Sequence, residues 1–202
     1  MKIGIMGGTF DPIHIGHLIL AEQAKEQYSL DKIWVMPNGN PRYKSDRIIT
    51  DSTHRAEMVR RSIANNPDME LSLLEINRKG YTYTYETLEE LKAAQPENEY
   101  YFIIGADSLF ALDTWKHPEI IGQDCILLAA NRNQAPEEKI RQKICFLQEQ
   151  YQMRICLLSC PTIGISSEMI RRKAAQGSSI RYYVTDQVYA YIEKYSLYQE
   201  GH

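Results

Sequence analysis

The sequence is poor in several features that mark whole classes of protein. Only four of its 202 residues are cysteine, and their spacing matches neither a zinc site nor a redox motif, which predicts buried free thiols in a reducing cytoplasm. It contains no run of about 18 apolar residues that could span a membrane, and its N-terminus lacks a signal-peptide pattern. A net charge of −3 gives no electrostatic reason to expect a nucleic-acid polymer. These absences predict a cytoplasmic protein without a membrane or nucleic-acid partner, and they leave a small nucleotide ligand open.

Two common nucleotide-binding fingerprints are also absent. The N-terminal glycines are not spaced as Gly-x-Gly-x-x-Gly, and no Gly-Lys-Ser/Thr follows them, which argues against a dinucleotide oxidoreductase and against a P-loop. The zinc-binding pattern His-Glu-x-x-His is missing too, and two histidines alone are too few for a metal site. No metal-ligand set is therefore predicted.

What the chain does contain is an alternation of apolar strands and amphipathic helices. This order predicts an α/β fold, a single Rossmann-like doubly wound parallel sheet with helices on both faces. A length of 202 residues suits one domain spanning residues 1–202. The predicted strands are Lys2–Met6, Lys32–Met36, Met69–Ile76, Tyr100–Gly105, Cys125–Ala130 and Met153–Leu158. Predicted helices begin at Ile13, at Thr53 after a cap at Asp51 or Ser52, at Thr84 or Thr87, at Ser108 as a single turn, at Pro136, after Ser166, and at Val184.

The N-terminal stretch carries the strongest functional pattern. Gly7 and Gly8 are predicted to break the first strand, because glycine accepts positive φ and lets a ligand approach the backbone. Thr9, Phe10, Asp11 and Pro12 then form a turn into a helix whose N-terminus suits phosphate. His14 and His17 are three residues apart and share one face of that helix. Two imidazoles at this place can donate hydrogen bonds to a polyphosphate.

Two further segments are predicted to join this site. In a doubly wound sheet the ligand lies beyond the C-terminal strand ends, so Gly105 and Asp107 would face the same crevice if their strand neighbours the first. Asp107 would then reach a ribose hydroxyl or an adenine amine, although it could equally cap the next helix. Ser166 and Arg171 form a plausible anion site at another helix start, with an ordinary capped helix as the alternative.

These motifs resemble the signatures of a known enzyme family, the nucleotidylyltransferases. The first is Gly7-Gly8-Thr9-Phe10-Asp11-Pro12 followed by His14-Ile-Gly-His17, and the second is Ile165-Ser-Ser-x-x-Ile-Arg171. The middle of the chain is similar to the nicotinate-nucleotide adenylyltransferases in Tyr83-Thr84, in Phe102–Asp107 and in Trp115. Phosphopantetheine adenylyltransferases share the first signature, but we expect them to be shorter and to lack the tyrosine–tryptophan segments.

The resemblance implies adenylyl transfer from ATP to nicotinate mononucleotide, with Mg²⁺ delivered by ATP. It implies that the phosphates are held by catalytic residues His14, His17, Lys44 and Arg171. The implied ATP site comprises Gly7, Gly8, Thr9, Phe10, His14, His17, Gly105, Asp107, Ser166 and Arg171. The implied nicotinate mononucleotide site comprises Asp11, Lys44, Tyr83, Thr84 and Trp115, with the tryptophan stacking on the pyridine ring. A homo-oligomer and a non-catalytic nucleotide-binding regulator stay open, although loss of the histidines would be expected in the latter.

The sequence departs from that family in two places. The loop after the second strand reads Pro41-Arg42-Tyr43-Lys44, where the family often has Pro-Pro-His-Lys, so any role of that histidine is in doubt here. Thr185-Asp186 stands where the family often has proline. Without the family, Trp115 could be a packing anchor, and the alternating Tyr81, Tyr83 and Tyr85 could mark a half-exposed strand.

Overall fold

A computed structural model describes residues 1–39, 49–131 and 136–199 of the protein. Within these ranges, six parallel strands form one sheet in the order β3-β2-β1-β4-β5-β6. This confirms the predicted parallel α/β fold. The strands are β1 (Lys2–Gly8), β2 (Lys32–Pro37), β3 (Met69–Leu71), β4 (Glu99–Gly105), β5 (Ile126–Ala130) and β6 (Arg154–Leu158).

Helices connect the strands and cover the sheet. They are α1 (Ile15–Tyr28), α2 (Ser52–Ile63), α3 (Leu74–Asn77), α4 (Thr84–Ala94), α5 (Ala106–Ala111), α6 (Pro118–Asp124), α7 (Glu137–Tyr151), α8 (Ser167–Ala175) and α9 (Asp186–Lys194), with a 3₁₀ turn over Leu112–Thr114. None of the helices in the described ranges is both long and apolar enough to cross a membrane.

Two separate hydrophobic cores show that helices pack on both faces of the sheet. Neighbouring residues of β4 alternate between them, with Tyr101 and Ile103 in the first core and Phe102 and Ile104 in the second. Helices α1, α2, α8 and α9 contribute to the first core, whereas α4, α5, α6 and α7 contribute to the second. A strand buried on both faces reads as a continuous apolar run, which explains why β4 was clear in the sequence.

Strands β1 and β4 are neighbours at the centre of the sheet, although the chain places β2 and β3 between them. Their register pairs Ile5 with Phe102, so both strands end at the same edge. This is the point where the strand order reverses, and ligands of doubly wound sheets bind in the crevice beyond it. The sequence predicts that Gly105 and Asp107 lie beside Gly7 and Gly8 on the condition that β1 and β4 are neighbouring strands. The sheet order meets this condition.

Gly7 and Gly8 do not break β1, contrary to the prediction. They continue its ladder, opposite Met36 and Pro37 of β2, and the positive φ of this region lies at Phe10, with φ of 49°. The space beside both glycines is tight. A Cβ at Gly7 would lie 3.2 Å from the Phe102 ring, and one at Gly8 would lie 3.0 Å from the Phe10 ring.

Several predicted boundaries were also wrong. Strand β3 ends at Leu71 rather than Ile76, because the adjacent Leu73 and Leu74 break the strand period and the chain turns into α3. Helix α1 begins at Ile15 rather than Ile13, because His14 is still extended. Helix α6 was not predicted, although its first residue, Pro118, is a recognised helix-start signal.

The start of α8 agrees with the sequence prediction, whereas α9 begins at Asp186 rather than Val184. The Ser166 side chain caps α8 by accepting from the Met169 N–H at 3.1 Å, and Gly177 follows with φ of 66°. Helix α9 is capped by Thr185, whose hydroxyl accepts from the Val188 N–H at 3.4 Å. The departure from proline at this position thus supplies a helix cap.

Candidate active site

The turn after β1 is a buried loop that carries the first signature. Thr9, Phe10, Asp11 and His14 are all nearly inaccessible to solvent, and the Asp11–Pro12 peptide bond is cis. His14 is the N-cap residue of α1, so the turn delivers both histidines to the helix start. The N-terminal end of α1 therefore faces the strand edge with its backbone N–H groups and its positive dipole end.

The two histidines form a stacked pair rather than two separate side chains. Their ring centroids are 3.6 Å apart with an interplanar angle of 24°. The His14 backbone N–H donates to Nδ1 of His17 at 3.2 Å, so a neutral His17 ring carries its proton on Nε2. The Phe10 ring packs edge-on against His17 at 5.0 Å. Together these contacts fix the orientation and the tautomer of His17.

Gly16 provides the space for this pair. A Cβ at this position would lie 3.1 Å from both Cε1 and Nδ1 of the His14 ring. That separation is shorter than a normal contact of about 3.5–4.0 Å. The lack of a side chain at Gly16 therefore accommodates the His14 ring.

The second signature contacts the first directly. The Ser167 hydroxyl donates to the Pro12 carbonyl at 2.9 Å, and Nη1 of Arg171 donates to the Asp11 carbonyl. The same nitrogen lies 3.9 Å from Oδ2 of Asp11. The structure thus brings Ser166 and Arg171 beside the turn that follows β1, with Ser166 capping α8 and Arg171 contacting Asp11. That they bind an anion stays a prediction.

Asp11 is held by groups of the protein itself. Its Oδ1 accepts a hydrogen bond of 2.8 Å from the hydroxyl of Tyr198, which comes from the other end of the chain. Burial and the Asp11 carboxylate raise the pKa of Tyr198 well above its usual range. Tyr198 therefore stays a donor at neutral pH and stabilises the turn.

A buried arginine of α2 binds the backbone of the turn that follows β1. The Arg55 side chain is 1% exposed, and its Nη1 donates to the Thr9 carbonyl at 2.8 Å. Nη2 donates to the Gly39 carbonyl at 3.0 Å, and Nε donates to the Thr50 carbonyl at 2.9 Å. One side chain of α2 therefore ties the first signature to the segments that follow β2 and precede α2.

Gly105 and Asp107 lie at the C-terminal end of β4, at the edge of the sheet where β1 also ends. Helix α5 begins at Ala106 with Gly105 as its N-cap residue. Asp107 therefore lies inside the first turn of α5, and the alternative that it caps the helix is wrong. Its side chain is exposed, which suits a residue that contacts a ligand.

The tyrosine–tryptophan segments meet at the start of α4. Nζ of Lys116, the residue after Trp115, lies 4.5 Å from the ring centroid of Tyr83, and the rings of Tyr85 and His117 are 4.7 Å apart. Trp115 is half-buried, with one part of its ring packed on the second core. Tyr83 is the N-cap residue of α4, with Thr84 first in the helix, so the strand interpretation of these tyrosines is wrong.

Glu75 is a perturbed acid close to this second cluster. Its Oε1 accepts from the Thr87 hydroxyl at 2.9 Å, and the Arg78 Nη1 donates to the same hydroxyl at 2.9 Å. Burial raises the pKa of Glu75, although these hydrogen bonds and the Arg78 charge oppose the rise.

The sequence interpretation missed Arg55, Tyr198 and Glu75. Arg55 gave a usable signal, since it occupies the apolar stripe of α2 one turn before Met58 and Val59. A charged residue at such a position has to find partners inside the protein. Tyr198 gave none, because nothing local links it to Asp11. Lys44, with Arg42 and Tyr43, lies outside the described residues.

Comparisons with known proteins show the family to which the chain belongs. The cytidylyltransferase-like family model matches residues 5–173. The chain is 44% identical over 197 residues to a probable nicotinate-nucleotide adenylyltransferase of Lachnoclostridium phytofermentans, covering 98% of each chain. It is 39% identical over 201 residues to a protein of the same name from a Thermoanaerobacter species, covering 99% of this chain and 95% of that one.

Solved structures show the same fold at lower identity. A nicotinic acid mononucleotide adenylyltransferase of Plasmodium falciparum complexed with NaAD has a TM-score of 0.80 at 24% identity, covering 98% of this chain and 97% of that one. The same enzyme complexed with APC has a TM-score of 0.78, with 98% and 96% covered.

Proposed function

The chain belongs to the cytidylyltransferase-like family and, within it, to the nicotinate-nucleotide adenylyltransferases, and from this premise we propose how its site works. The reaction is the transfer of the adenylyl group of ATP to nicotinate mononucleotide, which gives nicotinate adenine dinucleotide and pyrophosphate in NAD biosynthesis. The observation that supports this function most directly is the contact between the two signatures. Ser167 and Arg171 bind the Asp11–Pro12 turn from 155 and 160 residues away.

The chemistry requires alignment and charge stabilisation. An oxygen of the acceptor phosphate forms a bond to the α-phosphorus of ATP, and the bond from that phosphorus to the bridging oxygen of the β-phosphate breaks. The acceptor phosphate, with a second pKa of about 6, is largely a dianion at neutral pH and needs no strong base. Charge moves onto pyrophosphate, so preorganised donors there lower the barrier. His14, His17, Lys44 and Arg171 are the proposed catalytic donors.

The nucleotide side of the site is proposed to lie along the ends of β1 and β4. Backbone groups of the first signature and the α1 N-terminus would hold the triphosphate, and Asp107 would contact the ribose or the adenine. The residues of this site are Gly7, Gly8, Thr9, Phe10, His14, His17, Gly105, Asp107, Ser166 and Arg171.

The acceptor side is proposed to be built by Asp11, Lys44, Tyr83, Thr84 and Trp115. The exposed part of the Trp115 ring offers a stacking surface for a pyridine ring. In the described part of the chain, no side-chain hydrogen bond caps the start of α4, so its first N–H groups can bind a carboxylate. The Lys116 ammonium, 4.5 Å from the Tyr83 ring centroid, adds positive charge beside that helix start.

Magnesium is proposed to arrive with ATP, since Mg²⁺ is usually held by substrate phosphates and water with few protein ligands. In the described ranges, no group of three or more His, Cys, Asp or Glu residues is arranged to hold a metal ion.

One domain is inferred for residues 1–202, because one sheet carries both signatures. A cytoplasmic location is supported by four free cysteines, although the prediction that all four thiols are buried is wrong, because Cys145 is exposed and Cys156 and Cys160 are half-buried. Self-association would be measured by analytical ultracentrifugation.

The decisive experiment combines the protein with ATP, Mg²⁺ and a panel of acceptor phosphates and measures pyrophosphate. We expect nicotinate mononucleotide to be preferred over nicotinamide mononucleotide, because the amide presents donor hydrogens to the α4 N–H groups. Two unpaired donors at about 1–3 kcal/mol each give a preference of about 30-fold to about 20,000-fold in kcat/KM. Release of pyrophosphate with phosphopantetheine alone would contradict the proposed acceptor, and equal use of both pyridine nucleotides would contradict the recognition of the carboxylate.

A further inference from the structure

Arg55 is a fully buried cation whose hydrogen bonds converge on the active-site turn. Burying a charged group is costly unless it is fully hydrogen-bonded, and this one donates to backbone carbonyls of Thr9, Gly39 and Thr50. The planar guanidinium can reach three carbonyls in three directions at once. Its position therefore fixes the Thr9 carbonyl relative to the rest of the sheet edge.

The Thr9 carbonyl belongs to the peptide that leads into Phe10. Phe10 has φ of 49°, a left-handed conformation that a residue with a Cβ adopts only when its surroundings enforce it. Two groups enforce it here. Arg55 holds the Thr9 carbonyl, and the Asn38 side chain donates to the Thr9 hydroxyl at 3.4 Å.

The conformation of Phe10 in turn determines where its ring lies. The ring is buried and packs edge-on against His17 with a centroid separation of 5.0 Å and an angle of 85°. On its other side His17 stacks on His14. A continuous path of contacts therefore runs from Arg55 through Thr9 and Phe10 to the histidine pair.

From this path we infer that Arg55 is a positioning residue for His17 in the adenylyl-transfer reaction. The inference rests on the proposed function for its kinetic consequence, but the geometry it asserts does not depend on any activity. Lysine cannot replace the arginine, because a single ammonium on a flexible stem lacks the fork that reaches three carbonyls. A small rotation of the Thr9–Phe10 peptide would then displace the Phe10 ring and the imidazole beside it.

The test compares Arg55→Lys with Arg60→Lys, a matched control on the exposed side of the same helix, where Arg60 pairs with Glu57. We expect Arg55→Lys to lower kcat about 10- to 100-fold, the scale of a displaced catalytic group, with KM values changed less than about threefold. Arg60→Lys should stay within about twofold of the wild type. Circular dichroism establishes that each variant is folded at the assay temperature.

A second readout needs no turnover. The ring signals of the five histidines can be followed in a ¹H–¹³C correlation spectrum, with His17 assigned through a His17→Asn variant. In Arg55→Lys the His17 signals should shift, whereas those of His117, which contacts Tyr85, should not. A merely structural arginine would leave the His17 signals in place.

Phe10→Leu tests the path itself. It keeps an apolar side chain but removes the ring edge from His17, so it should reproduce the kinetic loss and the spectral shift. Arg55→Lys and Phe10→Leu both act through the contact between Phe10 and His17. The fold-reduction of kcat in the double variant should therefore be much smaller than the product of the two single fold-reductions. Should Arg55→Lys not fold, Arg55→Gln, which keeps a shorter side-chain donor, takes its place in each comparison, while Phe10→Leu tests the contact between Phe10 and His17.

Three results would overturn the inference. The first is a folded Arg55→Lys with kcat within twofold of the wild type and unshifted His17 signals. The second is a double variant whose fold-reduction of kcat equals the product of the two single fold-reductions. The third is a Phe10→Leu variant whose kcat and His17 signals match those of the wild type. If the wild-type protein releases no pyrophosphate with any acceptor, the proposed function fails instead, and the His17 signals still decide whether Arg55 positions the ring.

Discussion

Replacing Gly16 by alanine should lower the activity of the protein while leaving its stability nearly unchanged. The new Cβ would lie 3.1 Å from two atoms of the His14 ring, about half an ångström inside a normal contact. His14 is 3% exposed, and one face of its ring is only 3.6 Å from His17. The ring therefore cannot move without displacing its partner, and both phosphate donors are expected to shift by a few tenths of an ångström.

The expected magnitudes follow from that displacement. A shift of about 1 Å at a catalytic group can cost about 100-fold in rate, so a smaller shift should lower kcat about 3- to 30-fold. Stability should change little, because alanine is favoured over glycine in helices by up to about 1 kcal/mol and this gain offsets the crowding. Steady-state pyrophosphate release and thermal unfolding measure the two effects on the same preparation.

Gly164→Ala is the matched control, since a Cβ there meets no atom of the described residues within 4 Å and its φ is not in the left-handed range. It should retain wild-type kcat and melting temperature. Wild-type turnover by a folded Gly16→Ala would refute the reasoning, because it would mean that the position of the His14 ring does not affect catalysis. A large loss in Gly164→Ala would show that alanine is harmful for reasons other than the histidine.

Three other changes probe the rest of the site. His17→Ala should lower kcat about 100-fold or more, the usual cost of one preorganised donor, with a nearly unchanged melting temperature; near-normal turnover would exclude the role. Tyr198→Phe removes the donor to Asp11 and should cost about 1–3 kcal/mol, or about 2–12 °C in melting temperature for a chain of this size, and an unchanged midpoint would contradict it. Glu75→Gln should become more stable relative to wild type as pH rises. Because burial raises the Glu75 pKa, the folded protein binds that proton more tightly than the unfolded chain, and stability is lost above the unfolded pKa of about 4.3. Urea unfolding between pH 4 and 7 measures this, and a difference that shrinks with pH would show the opposite sign.

Local sequence patterns were sufficient for most of the fold. Strand β4 was evident because both of its faces are buried, and α8 was evident because Ser166 and Gly177 mark its two ends. Sequence patterns failed where tertiary packing determines the local structure. Gly7 and Gly8 look like a strand break, yet β1 continues through both residues. Two phenylalanine rings occupy the space beside them and leave little room for side chains.

The candidate site was predictable to the extent that it lies in contiguous motifs. The signatures identified His14, His17, Ser166 and Arg171, and the sheet topology brought their segments together. The supporting residues could not be found in this way, because their partners are set by the tertiary structure. Arg55 gave a weak signal as a charge in an apolar stripe, whereas Tyr198 gave none.

The hydrogen bond between Tyr198 and Asp11 also bears on how the protein is made. It joins residues 187 positions apart, so a ribosome has synthesised nearly the whole described chain before the donor exists. The Asp11 turn is synthesised long before Tyr198, so it gains this hydrogen bond only after Tyr198 has left the ribosome. A nascent or truncated chain that ends before residue 198 lacks this hydrogen bond, so the Asp11 turn reaches its final set of contacts only once Tyr198 has been added.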